Sequence, residues 1–146
     1  MKNSLITFLV TFGYIGKVKY FPGTFGSFAG LVVGAVIIKL TSHSIFLSFF
    51  FFLTMISIFA VNEYLNSSKN LDPQEVVIDE VLGQWIAIAF IPFNFKSFFL
   101  AFILFRFFDI SKIFPINKIE KIKGYFGVIG DDLFADVISE IIILIL

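Results

Sequence analysis

The stretch IFLSFFFFLTMISIFAVNEYL, Ile45–Leu65, carries a single charged residue, Glu63, near its end. About 20 helical residues cross the hydrocarbon core of a bilayer, and this run is long and apolar enough to do so. Phe46, Phe49, Phe50, Phe51 and Phe52 give it a surface for lipid or for neighbouring helices. The rest of the chain has the same character. Hydrophobic residues make up 58% of the 146 positions, against about 45–50% in a soluble domain, and charged residues 15%, against about 25%. Mean hydropathy is +0.97. A soluble domain would lack the polar groups to cover its outside, and a disordered chain would lack the apolar ones present here.

Outward from this run the apolar segments continue. Phe25–Leu40 is rich in small residues (Gly26, Ala29, Gly30, Gly34), which permit close helix contact in lipid. Val76–Phe93 starts with Asp79, Glu80 and Gln84. Ser97–Ile110 ends with Arg106 and Asp109. Leu133–Leu146 follows Asp131 and Asp132 and contains Asp136 and Glu140. Residues 3–14 read as a short amphipathic helix, with Asn3, Ser4, Thr7 and Thr11 on one face, lying at the interface or packing on the bundle. A Gly/Pro-punctuated loop, GKVKYFPGTFGS, comes next. No small-residue cleavage site follows the first apolar run, so it is not read as a signal peptide. The expected fold is all-α: a polytopic membrane bundle of about five transmembrane helices plus the short N-terminal helix, in a single domain over residues 1–146. Tyr14, Tyr20 and Trp85 are expected as interface anchors.

Lysine bias orients such a bundle. With alternating helices, one side receives Lys17, Lys19, Lys69, Lys112, Lys118, Lys121 and Lys123, the other Lys2, Lys39 and Lys96. The richer side is expected in the cytoplasm. The Pro22–Ser27 turn, Asp79–Glu80, Arg106–Asp109 and Asp131–Asp132 all fall on that side, at one level.

The chain has no cysteine and a single histidine, His43, placed in an opposite loop. Disulfides, thiolate metal sites, cysteine nucleophiles and histidine-cluster metal sites are thereby excluded. Eleven basic residues balance eleven acidic ones, so no nucleic-acid partner is expected. No obligate protein partner is expected either.

Ionisable side chains in membrane segments are costly and mark functional sites. Asp79, Glu80, Asp109, Asp131 and Asp132 at one level would repel one another without a positive group among them. Arg106 and Lys112 supply part of that charge and a metal ion the rest; oxygen-only ligands suit Mg²⁺. Asp79, Asp131 and Asp132 also fit a simpler role as helix caps. Asp109 does not, because an anion at a helix C-terminal end is unfavourable. Arg106 lies three residues before it and shares its face, as a salt-bridge partner would. In PGTFGS, Gly23 and Gly26 allow a ligand close to the backbone, Thr24 or Ser27 offers a cap, and the helix N-terminus offers N–H groups to a phosphate.

At these residues the chain resembles the phosphatidylglycerophosphatase A family, bacterial inner-membrane enzymes that remove the terminal phosphate from phosphatidylglycerol phosphate. PGTFGS at 22–27 is similar to the family's Pro-Gly-Thr-x-Gly-Ser. VVIDEVLGQWIA at 76–87 is similar to its Asp-Glu-x-x-Gly segment, and FRFFDISKIFPI at 105–116 to its Phe-Arg-x-x-Asp-x-x-Lys-x-x-Pro-Ile. GYFGVIGDDLFADVIS at 124–139 is similar to its Gly-Gly-x-Gly-x-x-x-Asp-Asp stretch. The likeness runs from about residue 13 to 139. The chain departs from the family at Gly124-Tyr125, where a paired glycine is usual, near Lys19, where a proline is usual, and at Asp136, where a small residue is usual.

The resemblance implies a Mg²⁺-dependent lipid phosphatase, multi-pass in the bacterial cytoplasmic membrane, with its active site facing the cytoplasm. It implies metal ligands among Asp79, Glu80, Asp109, Asp131 and Asp132, with Glu80 as ligand or general base. Arg106, Lys112 and the Thr24–Ser27 helix start are expected to bind phosphate, and Asp79, Glu80, Asp109 and Asp132 to carry the catalysis. Without cysteine, a suitably placed histidine or an Asp-x-Asp-x-Thr motif, two routes stay open: metal-activated water, which is favoured, and an aspartyl nucleophile. A non-enzymatic transporter or assembly subunit is the alternative, and it predicts carboxylates spread along a path across the membrane.

Overall fold

The computed structural model describes residues 4–68 and 73–111, together with 137, 138, 141, 142 and 145. Lys112, Asp131, Asp132, Asp136 and Glu140 lie outside the described residues. The described part is all-helical, without a strand: α1 (Ser4–Val10), a 3₁₀ turn at Ile15–Lys17, α2 (Pro22–Leu40), α3 (His43–Ser67), α4 (Ile78–Ala89) and α5 (Phe95–Ser111). Of the expected helix Leu133–Leu146, the five described positions are helical.

α4 is the centre. Nearly all of its residues are buried, and α2, α3 and α5 pack around it. Its contact with α2 is made by glycine. A Cβ on Gly26 would stand 2.8 Å from Val77 Cβ, and one on Gly30 3.0 Å from Val81 Cα. A Cβ on Gly34 would meet Ile88 at 2.7 Å. The glycine stripe expected to permit close helix contact does so here, backbone against side chain, as in membrane bundles. Trp85 is not an interface anchor. It is buried, stacks at a tilt on Phe46 with ring centroids 5.3 Å apart, and donates its indole N–H to the Gly30 carbonyl at 2.9 Å. Gly34 leaves room for the indole, and the Gly30 carbonyl gives its N–H a partner.

The outer faces of α2, α3 and α5 are apolar. Phe25, Phe28, Phe49, Phe51, Phe52, Phe59, Phe99 and Phe107 are all exposed, a surface that water would not tolerate and lipid would. α2 and α3 are long and apolar enough to cross a membrane. α4, with 12 residues, rises only about 18 Å. The expected count of about five crossing helices is therefore not carried by the described residues.

α1 is amphipathic with the opposite sense to a soluble helix. Thr7 and Thr11 face inward, while Leu5 and Phe8 are exposed. Thr11 is satisfied locally: its Oγ1 donates to the Thr7 carbonyl at 2.7 Å and accepts from the Tyr14 N–H at 3.0 Å. α1 packs on α3, and the Val77 N–H donates to the Val10 carbonyl at 2.9 Å, tying α1 to the start of α4.

Candidate active site at three helix ends

α2 begins at Pro22, earlier than the expected Phe25, so PGTFGS is the first turn and a half of the helix and not a turn before it. Proline suits this place because its missing N–H is one the helix would leave unpaired. Phe21 precedes it in the left-handed region (φ 52°, ψ 49°), and no side chain caps the end. Neither Thr24 nor Ser27 takes the capping role expected of it. Thr24 lies half-buried in the first turn. Ser27 is wholly buried, and its hydroxyl donates to the Gly23 carbonyl at 2.9 Å. The Ser27 hydroxyl thus bonds within its own helix, and the backbone N–H groups of the first turn are the ones expected to meet a phosphate.

Three helix ends meet here: the N-terminal turns of α2 and α4 and the C-terminal turn of α5. The Glu80 carboxylate lies against Gly23, so closely that a Cβ there would overlap Glu80 Oε1 and stand 3.4 Å from Arg106 Nη1. A side chain at 23 would displace the Glu80 carboxylate, a closeness the sequence alone attributes to a ligand. Arg106 Nη1 donates to the Asp109 carboxylate and to Ser27 Oγ, the latter at 3.4 Å. The Arg106 and Asp109 side chains are 14% and 15% exposed, so their pairing is less screened than a surface ion pair.

Asp79 and Glu80 are the second and third residues of α4, where the positive end of the helix favours them. Val77, not Asp79, is the N-cap residue of α4 and its side chain makes no capping hydrogen bond, so Asp79 keeps only the dipole part of its simpler role. Several buried polar atoms have no hydrogen-bond partner: Asp79 Oδ1, Glu80 Oε2, Arg106 Nε and both amide atoms of Gln84. Buried groups of this kind are rarely left unmet, and four residues of one neighbourhood share the deficit. Among the described residues no three Asp, Glu, His or Cys side chains approach closely enough to hold a metal by themselves. The structure thus joins Gly23, Ser27, Asp79, Glu80, Arg106 and Asp109, while Lys112, Asp131 and Asp132 lie outside the described residues. His43, expected in a loop, is the exposed first residue of α3.

The family model described as phosphatidylglycerophosphatase A matches residues 8–146. The chain belongs to the phosphatidylglycerophosphatase A family. Phosphatidylglycerophosphatase A of Haemophilus influenzae is 34% identical over 143 residues, covering 97% of this chain and 87% of the relative. A Bacteroides thetaiotaomicron protein provisionally named a phosphatidylinositol-3-phosphatase is 33% identical over 150 residues, covering 97% of this chain and 94% of its own. Phosphatidylglycerophosphatase A of Escherichia coli is 36% identical over 70 residues, covering 47% of this chain and 41% of the relative. No solved structure matches the chain. The family match spans all three helix ends that build the cluster. It also spans residues 112–136, in which the family's Asp-Asp stretch lies.

Proposed function

We propose that the protein hydrolyses the terminal phosphomonoester of phosphatidylglycerol phosphate, at the cytoplasmic face of the bacterial inner membrane. The observation that carries this is the meeting of Glu80, Arg106 and the α2 N-terminus at one level of the bundle, with unmet acceptors and donors on Asp79, Glu80 and Arg106. Membership of the family and the names of its relatives supply the substrate. The clustering of ionisable groups at the helix ends argues against a transporter, which would spread them along a path.

Phosphate monoesters hydrolyse extremely slowly unaided. The catalyst must neutralise the phosphoryl group, place water in line and stabilise the leaving oxygen. Arg106 has the fork geometry for phosphate oxygens, with Nε still unpartnered. Ser27 and Asp109 hold the guanidinium in place and so position it. Glu80 accepts the proton of the attacking water at Oε2. The bond from phosphorus to the glycerol oxygen breaks, that oxygen takes up a proton, and the products are phosphatidylglycerol and inorganic phosphate. The α2 N-terminus, expected to bind phosphate directly, faces the Glu80 carboxylate.

The unpartnered Oδ1 of Asp79 fits Mg²⁺, which binds through one or two carboxylates together with substrate phosphate and waters. Asp79 would hold it, with Asp109, Asp131 and Asp132 as further ligands and Glu80 left as the base; bound there, it would supply charge neutralisation and a more acidic water. Lys112 is assigned to the phosphate oxygens beside Arg106. The purified protein in mixed micelles should release phosphate from phosphatidylglycerol phosphate. Release from no lipid phosphomonoester would overturn the proposal.

A further inference from the structure

Among the described residues, Gln84 is a buried polar side chain with unmet atoms that the proposed chemistry does not use. It is 0% exposed, and neither its amide nitrogen nor its amide oxygen has a partner. A primary amide offers two donors and two acceptor lone pairs, and leaving it unmet at the apolar centre of the bundle is unfavourable. Ordinary packing would place a leucine or methionine here, as the neighbouring Val81, Leu82 and Ile88 illustrate. Glu80 and Gln84 are four residues apart and share one face of α4. Gln84 therefore stands about 6 Å deeper along the axis than Glu80. Arg106 Nε, Glu80 Oε2 and the Gln84 amide are all buried and unmet, and Gln84 lies one helical turn further along α4 than Glu80.

We propose that Gln84 is a specificity-determining residue: its amide hydrogen-bonds the headgroup hydroxyl on the carbon next to the phosphorylated one. The inference rests on the phosphatase proposal above and assigns the part of the substrate that proposal leaves uncontacted. A lipid held by its acyl chains presents its terminal phosphate outermost and the rest of its headgroup deeper. With the phosphate at Arg106, the adjoining hydroxyl lies on the bilayer side of it, toward Gln84. A hydroxyl is donor and acceptor at once, and a neutral amide meets both demands without adding charge to the ion cluster. A site built to hydrogen-bond a hydroxyl rejects the analogue lacking it, because its own buried group is then left unpaired.

The test compares phosphate release from phosphatidylglycerol phosphate and from its analogue with that hydroxyl replaced by hydrogen. Wild type is expected to favour the hydroxyl substrate roughly tenfold to a hundredfold in kcat/KM. Gln84→Met, similar in volume, should bring the two substrates to within about twofold, by loss on the hydroxyl substrate alone. Equal losses on both substrates would make Gln84 structural and overturn the inference. So would equal wild-type rates, a measurement that needs no variant to fold. Phosphate release from neither substrate by wild type would instead remove the phosphatase proposal, and this inference with it.

Discussion

Arg106 holds two neighbours at once, the Asp109 carboxylate and the Ser27 hydroxyl, and the behaviour of each separates positioning from packing. Ser27→Ala removes an acceptor from Arg106 and a hydrogen bond internal to α2. The expected result is a roughly tenfold fall in kcat/KM with little change in unfolding temperature, measured by phosphate release and thermal scanning. Asp109→Asn removes one charge from a largely buried pair. It should lower stability by about 1–3 kcal/mol and depress turnover, because the guanidinium loses its fixed orientation. Turnover near wild type with lowered stability would make Asp109 a salt-bridge partner alone. The Arg106–Asp109 pairing is legible in the sequence, since three residues along a helix put two side chains on one face. The inward turn of Ser27 is not, because spacing does not say whether a hydroxyl bonds its own helix or a ligand. Nor is the approach of Glu80 to Gly23, which exists only once α2 has docked on α4.

At the scale of elements, the α2–α4 contact sets the site's geometry. Gly26, Gly30 and Gly34 bring the two helices together, and the same contact carries Gly23 to Glu80. Gly30→Val should therefore do two things. It should destabilise the bundle by about 1–3 kcal/mol through overpacking, and it should cut phosphate release more than that loss of folded protein explains. Circular dichroism melts in detergent, read beside activity at a temperature where the variant stays folded, check this. The glycine stripe and the apolar runs were readable because period and composition report them directly. The sense of α1 was not: Thr7 and Thr11 look like a water-facing stripe, yet they bond within the chain and leave Leu5 and Phe8 outward. Trp85 likewise reads as an interfacial residue, yet it lies inside with its indole N–H on the Gly30 carbonyl. The true start of α2 was hidden because Pro-Gly serves equally as a turn and as a first helical turn.

For the whole molecule, three of the four sequence segments expected at one level do meet there, at the ends of α2, α4 and α5. The fourth, with Asp131 and Asp132, lies outside the described residues. The all-helical class followed from composition, whereas the number of crossing helices does not follow from apolar length alone, since α4 is short and sheltered by its neighbours. The cytoplasmic placement proposed for the 111–130 segment rests on lysine bias. A single cysteine introduced as Glu120→Cys should react with an impermeant reagent only after the inner face is opened; labelling from outside intact cells would reverse the orientation. The central claim is that the helix-end cluster carries metal-dependent phosphomonoester hydrolysis. Its most direct test is phosphate release from phosphatidylglycerol phosphate by purified wild type and Glu80→Gln, each with Mg²⁺ and after exhaustive chelation. Wild type should release phosphate with Mg²⁺, lose activity on chelation and recover when Mg²⁺ returns, while folded Glu80→Gln stays at least about a hundredfold slower throughout. Full wild-type activity after chelation, or a Glu80→Gln rate equal to wild type, would contradict the account.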